Sequence, residues 1–256
     1  MADLLKQIRA AEFPFTDRLI HLFVGGSELH GAKVHDTDDL DVYGVYIEPP
    51  EMLLGLEALP HFVWSSAGDE RRNGPDGVDV TLYSLRKWMT LACKGNPAAL
   101  HFLFSGNSLR HSSWADVLSN KDLFLARSSA KQFIGFADDQ LKRMTGEKGR
   151  GKKGHRTELE EKYGYDVKAA MHGLRLLYEC KELLSEGRVT LPRPERALLV
   201  RVRTGKYAVA EVSEMAKVLF VECREAADLS ILPASVDRDA VSKLATTCYL
   251  NAWNSC

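Results

Sequence analysis

The stretch Val24 to Asp41, VGGSELHGAKVHDTDDLD, decides how this chain is read. It follows Leu19 to Val24 (LIHLFV), an apolar run of the length of a buried strand, so a strand delivers the backbone directly into Gly25-Gly26-Ser27. Glycine at such a bend permits a tight turn and lets backbone amides come close to an anion, for which phosphate is the natural guest. Glu28 to Gly31 are placed to open a helix whose N-terminal amides reinforce that anion site. A glycine turn alone occurs in many loops. The second half of the stretch narrows the reading, because Asp39 and Asp41 are separated by one residue at the start of a second strand, Leu40 to Ile47 (LDVYGVYI). Period-two geometry sends both carboxylates to one sheet face and Leu40 and Val42 to the other, into the core.

Two carboxylates on one sheet edge can hold a hard divalent ion. Magnesium takes oxygen ligands at octahedral angles and completes its shell with substrate phosphates, so a metal site beside a phosphate-binding turn is chemically coherent. Asp79, flanked by Val78 and Val80 on a later strand, Val78 to Tyr83 (VDVTLY), offers a third carboxylate. On a strand adjacent to the first it would complete a two-metal clamp. The alternative for each aspartate taken singly is a turn residue or a strand-end cap.

Working outward, His61 to Ser65 (HFVWS) reads as a further strand, and Ser84 as the N-cap of a helix over Leu85 to Lys94 with Trp88, Leu91 and Ala92 spaced to face a core. Asn96-Pro97 stops that helix and begins another through Phe104. Beyond Trp114 helical periods run over Ala126 to Met144, Glu158 to Ser185, Ala208 to Ala227 and Val236 to Ala252. The boundary is therefore expected near 110, with a sheet-bearing domain over 1–110 and a helical domain over 111–256. The 256 residues are 45% hydrophobic and 27% charged, the balance of an ordinary globular protein. A net charge of −1 excludes a uniformly basic protein that binds polyanions by bulk field, so any nucleic-acid contact must be local. Five widely spaced cysteines without a CxxC pair suggest neither a disulfide framework nor a zinc site. The opening MADLLKQIRAAEF lacks the features of a secretory signal, and no apolar run approaches the ~20 residues of a membrane span, so a cytoplasmic protein is expected.

A second set of polar residues lies within Glu158 to Ser185. Lys168, His172 and Arg175 fall at i, i+4 and i+7, which stacks them on one helix face, while Met171, Leu174 and Leu177 form another stripe directed at a core. A cationic face suits a triphosphate, with Lys168 as a point charge and Arg175 as a fork; the alternative is a solvated face or ion pairs to Glu161 and Glu179. His30 and Lys33 follow the glycine turn within reach of a phosphate, or are simply exposed. Tyr163 and Tyr165 are more often packing residues at a helix start than base-stacking ones. Thr145 to Arg156 (TGEKGRGKKGHR) is either a solvated linker or a phosphate-contacting loop.

Glycine-serine, an eleven-residue gap and then Asp-x-Asp resembles the signature of the DNA polymerase β nucleotidyltransferase superfamily. Within it, GSELHG, DLDVYGVYIEP, GVDVTLYSLRKW and KGNPAALHFLFS are similar to the predicted nucleotidyltransferases associated with RNA repair. The similarity continues through KYGYDVKAAMHGLRLL and PERALLVRVRTGK, so it covers most of the chain. The resemblance implies an α+β fold, a palm-like mixed sheet with helices followed by an α-helical C-terminal domain. It implies dependence on two magnesium ions, with manganese as a substitute, and transfer of a nucleoside monophosphate from ATP or another NTP or dNTP. Carried onto this sequence, Gly26 and Ser27 cradle the triphosphate and Asp39, Asp41 and Asp79 are the catalytic, metal-binding triad. Lys168, His172, Arg175 and His30 are the further nucleotide-binding candidates. Asp38 and His101 depart from the family pattern, where a small hydroxyl residue and an acidic residue are usual. A nucleic-acid 3′ end is the leading acceptor, contacted through the basic loop Lys148 to Arg156. Nucleotidylation of a small molecule or a protein side chain, and a catalytically silent nucleotide-binding regulator, are the alternatives.

Overall fold

The computed structural model describes residues 2–34, 39–68, 77–106, 109–110, 112–147 and 157–254. In chain order the elements are α1 (Ala2–Ala10), β1 (Leu19–Val24), α2 (Gly26–Leu29), β2 (Leu40–Tyr46), α3 (Pro50–Leu54), β3 (His61–Ser65), β4 (Val78–Ser84), α4 (Leu85–Cys93), α5 (Pro97–Phe104) and β5 (Leu109–Arg110). They continue as α6 (Ser112–Ser119), α7 (Ser129–Met144), α8 (Thr157–Tyr163), α9 (Val167–Glu186), α10 (Arg196–Arg203), α11 (Val209–Leu229) and α12 (Arg238–Asn254). Among the described residues no helix is long and apolar enough to cross a membrane. The chain forms two compact units, one of residues 1–93, 98–124 and 237–256 and one of residues 94–97 and 125–236.

The first unit is built on a five-stranded mixed sheet in the order β3-β4-β2-β1-β5, the α+β arrangement expected from sequence. β2 and β4 run parallel, which requires a crossover, and α3 and the edge strand β3 lie in the connection. The other pairs are antiparallel. In β4 the alternation is strict: Val78, Val80 and Leu82 are buried, and Asp79, Thr81 and Tyr83 are half-buried on the opposite face. The first set joins Leu22, Val42, Tyr46 and Ile8 of the amphipathic α1 in one apolar cluster. The other face is covered by helices, with His21 of β1 stacked on Trp114 of α6 at 4.1 Å between ring centroids and Phe23 edge-on to Phe102 of α5 at 4.8 Å. Ser84 caps α4 as expected, its hydroxyl accepting from Lys87 N at 3.2 Å.

The unit boundaries differ from a division at 110. Helical periodicity says nothing of which layer a helix packs on: Trp114 holds α6 against β1, and α12 is bound to the segment after β2 and to the start of α4. Both therefore belong with the sheet rather than with the helical unit.

In the second unit α9 packs against α7, α10 and α11, with Met171, Leu174 and Leu177 buried as the sequence predicts. The single helix expected over Glu158 to Ser185 is two helices. Gly164, at φ +82°, takes a left-handed conformation that ends α8. Asp166 then caps α9, its carboxylate accepting from Lys168 N at 3.0 Å and Ala169 N at 2.9 Å. Tyr165 is buried and donates to the Tyr207 carbonyl at 2.7 Å, so it is a packing residue.

Candidate active site

Topology alone brings the key segments together. Because β2 and β4 are parallel, their first residues lie at the same end of the sheet, and because β1 is antiparallel to β2, the last residues of β1 lie there too. Asp41 and Asp79 are register partners, side by side on adjacent strands, so their side chains leave the same face. The pairing extends one step before each strand through Leu40 N donating to Gly77 O at 2.8 Å. Asp39, half-buried, immediately precedes β2. The donor set of these three positions is carboxylate oxygen throughout, which fits a hard divalent ion such as magnesium.

The glycine turn is pressed onto this edge. Gly25 N donates to Asp41 O at 2.8 Å, continuing the β1–β2 ladder past Val24. Gly26 then adopts φ +58°, a left-handed conformation that L side chains rarely take. A Cβ on Gly26 would fall 1.8 Å from Asp41 Oδ2, and a Cβ on Gly25 would fall 2.2 Å from Tyr43 Cδ2. Two successive glycines thus lie under two successive same-face side chains of β2, with Asp41 over Gly26 and Tyr43 over Gly25. Neither glycine tolerates a side chain without displacing its cover. The four-residue α2 follows, Ala32 N donating to Ser27 O at 2.9 Å to close the turn.

Behind the carboxylates the sheet face is aromatic. Tyr43 stacks on Phe23 with centroids 5.8 Å apart and meets Phe102 edge-on at 6.1 Å. Burial pushes the Tyr83 phenol above its ordinary value, which keeps it neutral beside Thr81 and Asp79 on that face. This backing confines charge to the sheet edge, where a cation and phosphates would meet it.

The remaining candidates are placed less uniformly. His30 is buried at the C-terminal end of α2, edge-to-face with His101 of α5 at 4.8 Å, so its ring packs against another imidazole. His101, at the position where the family pattern has an acid, is the partner in that contact. Lys33 is exposed and pairs with Glu28 at 3.3 Å. Asp38 and the basic loop 148–156 lie outside the described residues. In the second unit Lys168 and His172 are half-buried on α9, whereas Arg175 is buried and forms an ion pair with the fully buried Glu179 at 2.9 Å. The three side chains are therefore not equivalently placed, and Arg175 makes the ion pair to Glu179 that the sequence offered as the alternative.

Tyr43 was not singled out from sequence. The available signal was its position two residues after Asp41, on the same strand face, but its contact with Gly25 depends on the β1–β2 register.

Comparison with known proteins found three similarities. The profile of the RNA repair pathway DNA polymerase beta family matches residues 1–232. An uncharacterized 38.9 kDa protein from the nrdC-mobD intergenic region of Enterobacteria phage T4 is 26% identical over 120 residues, a stretch covering 45% of this chain and 35% of that protein. A solved structure, a nucleotidyltransferase-like protein from Exiguobacterium sibiricum 255-15, is similar at 13% identity and a TM-score of 0.32, covering 88% of this chain and 74% of that one. With the family profile spanning both units and taking in Gly26, Ser27, Asp39, Asp41 and Asp79, the chain belongs to the RNA repair pathway DNA polymerase beta family.

Proposed function

We propose that this chain is a magnesium-dependent nucleotidyltransferase that moves a nucleoside monophosphate from an NTP or dNTP to a hydroxyl acceptor, with a nucleic-acid 3′ end as the acceptor. One observation carries the reading: Asp41 and Asp79 are register partners, and the Asp41 carboxylate rests on Gly26 of the glycine turn. Family membership supports the general chemistry.

In the reaction the acceptor oxygen attacks the α-phosphorus, a new P–O bond forms, the α–β bridging P–O bond breaks, the hydroxyl proton passes to solvent and pyrophosphate leaves. Most catalysis in such a transfer is positioning and charge stabilisation. Bound divalent ions supply neutralisation of the triphosphate and a lowered pKa for the attacking hydroxyl. Asp39 and Asp41 would hold the donor side of that charge, and Asp79 with both of them the acceptor side. Gly26, which has no side chain to set against the Asp41 carboxylate, would offer its backbone amide to the phosphates together with Ser27, the next residue of the turn. Lys168 and His172 are proposed as further nucleotide-binding residues. The proposed setting is the reducing cytoplasm, where thiols such as those of Cys93, Cys180, Cys223 and Cys248 stay free of disulfides.

The experiment incubates the protein with labelled nucleoside triphosphates, magnesium and either oligonucleotides or small hydroxyl compounds such as aminoglycosides. Label on oligonucleotides, lost in Asp41→Ala, is the expected result. Label only on the small compounds moves the acceptor to that class, which the near-zero net charge also suits. Transfer that survives Asp41→Ala unchanged removes the proposed metal-binding triad from the chemistry.

A further inference from the structure

We infer that Tyr43 is a positioning residue for the nucleotide site, its ring acting as the backstop that sets how far the Gly25-Gly26 turn stands from the Asp41 carboxylate. The inference rests on the nucleotidyltransferase reading above and assigns a further residue to that site.

Gly25 N donates to Asp41 O at 2.8 Å, which ties the turn along the sheet. That bond lies in the plane of the sheet and leaves the height of the turn above the face undetermined. Height is set by what lies against the backbone. At Gly25 this is the Tyr43 ring, whose Cδ2 and Cε2 lie 2.2 and 2.4 Å from where a Cβ would stand. The ring is itself held on two sides, stacked on Phe23 at 5.8 Å and edge-on to Phe102 at 6.1 Å, so it is a firm support rather than a mobile side chain. The next residue, Gly26, meets the Asp41 carboxylate. Asp41 and Tyr43 are two apart on β2, so one strand presents both the metal-binding oxygen and the gauge that spaces the phosphate seat from it. The phosphate seat and the Asp41 carboxylate would serve one ion-bound triphosphate, and a shift of about 1 Å at a reacting centre can cost a hundredfold.

The ring, not the hydroxyl, does this work, and that separates the role from direct ligation by the phenol. The test titrates the full chain by calorimetry with a nonhydrolysable ATP analogue in the presence of magnesium, so that no acceptor is needed. Tyr43→Ala is expected to weaken binding by about tenfold or more, whereas Tyr43→Phe stays within a factor of about two of the parent chain. Gly25→Ala is expected to weaken binding strongly when Tyr43 is present and less when it is combined with Tyr43→Ala, because removal of the ring makes room for the new methyl. Should Tyr43→Ala fail to give a cooperative thermal transition, Tyr43→Leu, which keeps apolar volume without the flat ring, carries the same expectation.

Tyr43→Ala binding as tightly as the parent, Tyr43→Phe as weak as Tyr43→Ala, or independent effects of the two substitutions in the double variant would each overturn the role of Tyr43 while leaving the nucleotide site standing. A parent chain that does not bind the analogue, or Asp41→Ala binding it equally well, defeats the nucleotidyltransferase reading itself and this inference with it.

Discussion

Asp41 and Asp79 stand side by side on adjacent parallel strands, one strand spacing apart, with both carboxylates leaving the same face of the sheet. Like charges held side by side repel, and a divalent ion between them offsets that repulsion. In the proposed site the edge is therefore expected to be most stable with a cation on it. Magnesium is expected to raise the thermal midpoint of the parent chain, while Asp41→Asn and Asp79→Asn are at least as stable as the parent in metal-free buffer and lose the magnesium response. Nucleotide transfer by either variant should fall by about a hundredfold or more. Scanning calorimetry with and without magnesium reads the first effect, and a magnesium shift retained by both variants would place the cation elsewhere.

Gly26 sits at φ +58° with its missing Cβ position occupied by the Asp41 carboxylate. Gly26→Ala meets both obstacles, an unfavourable backbone conformation costing about 1 to 2 kcal/mol and displacement of the carboxylate. Urea unfolding is expected to show a loss in that range. The magnesium-induced thermal shift should fall much further than stability does, because the displaced group is a metal ligand in the proposed site. A full magnesium response in Gly26→Ala would separate Asp41 from cation binding.

How far these relationships could be read in advance depends on whether they are local. β1 and β3 occupy the predicted spans, and β2 and β4 differ from theirs by one residue, because alternation and β-branched content are properties of five to seven consecutive residues. Asp39, Asp41 and Asp79 were legible as candidates for the same reason. Their register was not, since residues 47–77 intervene and nothing in them states which strand β4 will join. Within α4 the buried residues are Leu85, Trp88, Met89 and Ala92, with Leu91 left half-buried, because helical spacing gives a stripe but not its exact centre. The break between α8 and α9 was hidden by an apolar period that continues across Gly164. The fate of Arg175 was open from sequence, where Glu179 at i+4 stood as the alternative partner. The Tyr43 contact with Gly25 is set by the sheet itself, and only the folded register reveals it.

Tyr249 of α12 donates its hydroxyl to the Glu48 carboxylate, while the same oxygen accepts from Arg86 N at 3.0 Å and Trp253 donates to the Glu48 carbonyl at 2.9 Å. Glu48 is 2% exposed, so Tyr249→Phe deprives a buried carboxylate of a donor and should cost about 1 to 3 kcal/mol. Burial first, and then the Glu48 charge, push the Tyr249 phenol well above its ordinary value; the same two causes act on Tyr46. For an acid held neutral in the folded state the contribution is complete below the unfolded value near 10 and is lost as pH rises towards the folded one. Stability should therefore decline steadily above about pH 10. Tyr249→Phe should start lower and decline less steeply, which a series of urea unfolding curves at alkaline pH will read. An equal slope in the variant would show that Tyr249 ionises with its ordinary affinity.

Arg175 and Glu179, paired at 2.9 Å within α9, test whether a cation read from sequence as a phosphate ligand is structural instead. Glu179 is fully buried, so Arg175→Ala strips a carboxylate of its guanidinium and should cost about 3 to 5 kcal/mol. Replacing both partners by apolar residues, Arg175→Met with Glu179→Leu, should restore most of that stability, because desolvation of two charges is avoided. On this stable background the affinity for magnesium and a nonhydrolysable ATP analogue isolates any binding role. Unchanged affinity assigns Arg175 to the helix core, and a loss of about tenfold returns it to the nucleotide site. Lys168→Ala is the control on the same helix: its side chain is only half-buried, so it should lose nucleotide affinity by a few-fold to about tenfold with a stability change below about 1 kcal/mol. If Lys168→Ala instead destabilises the chain and leaves affinity intact, Lys168 contributes packing and not nucleotide binding.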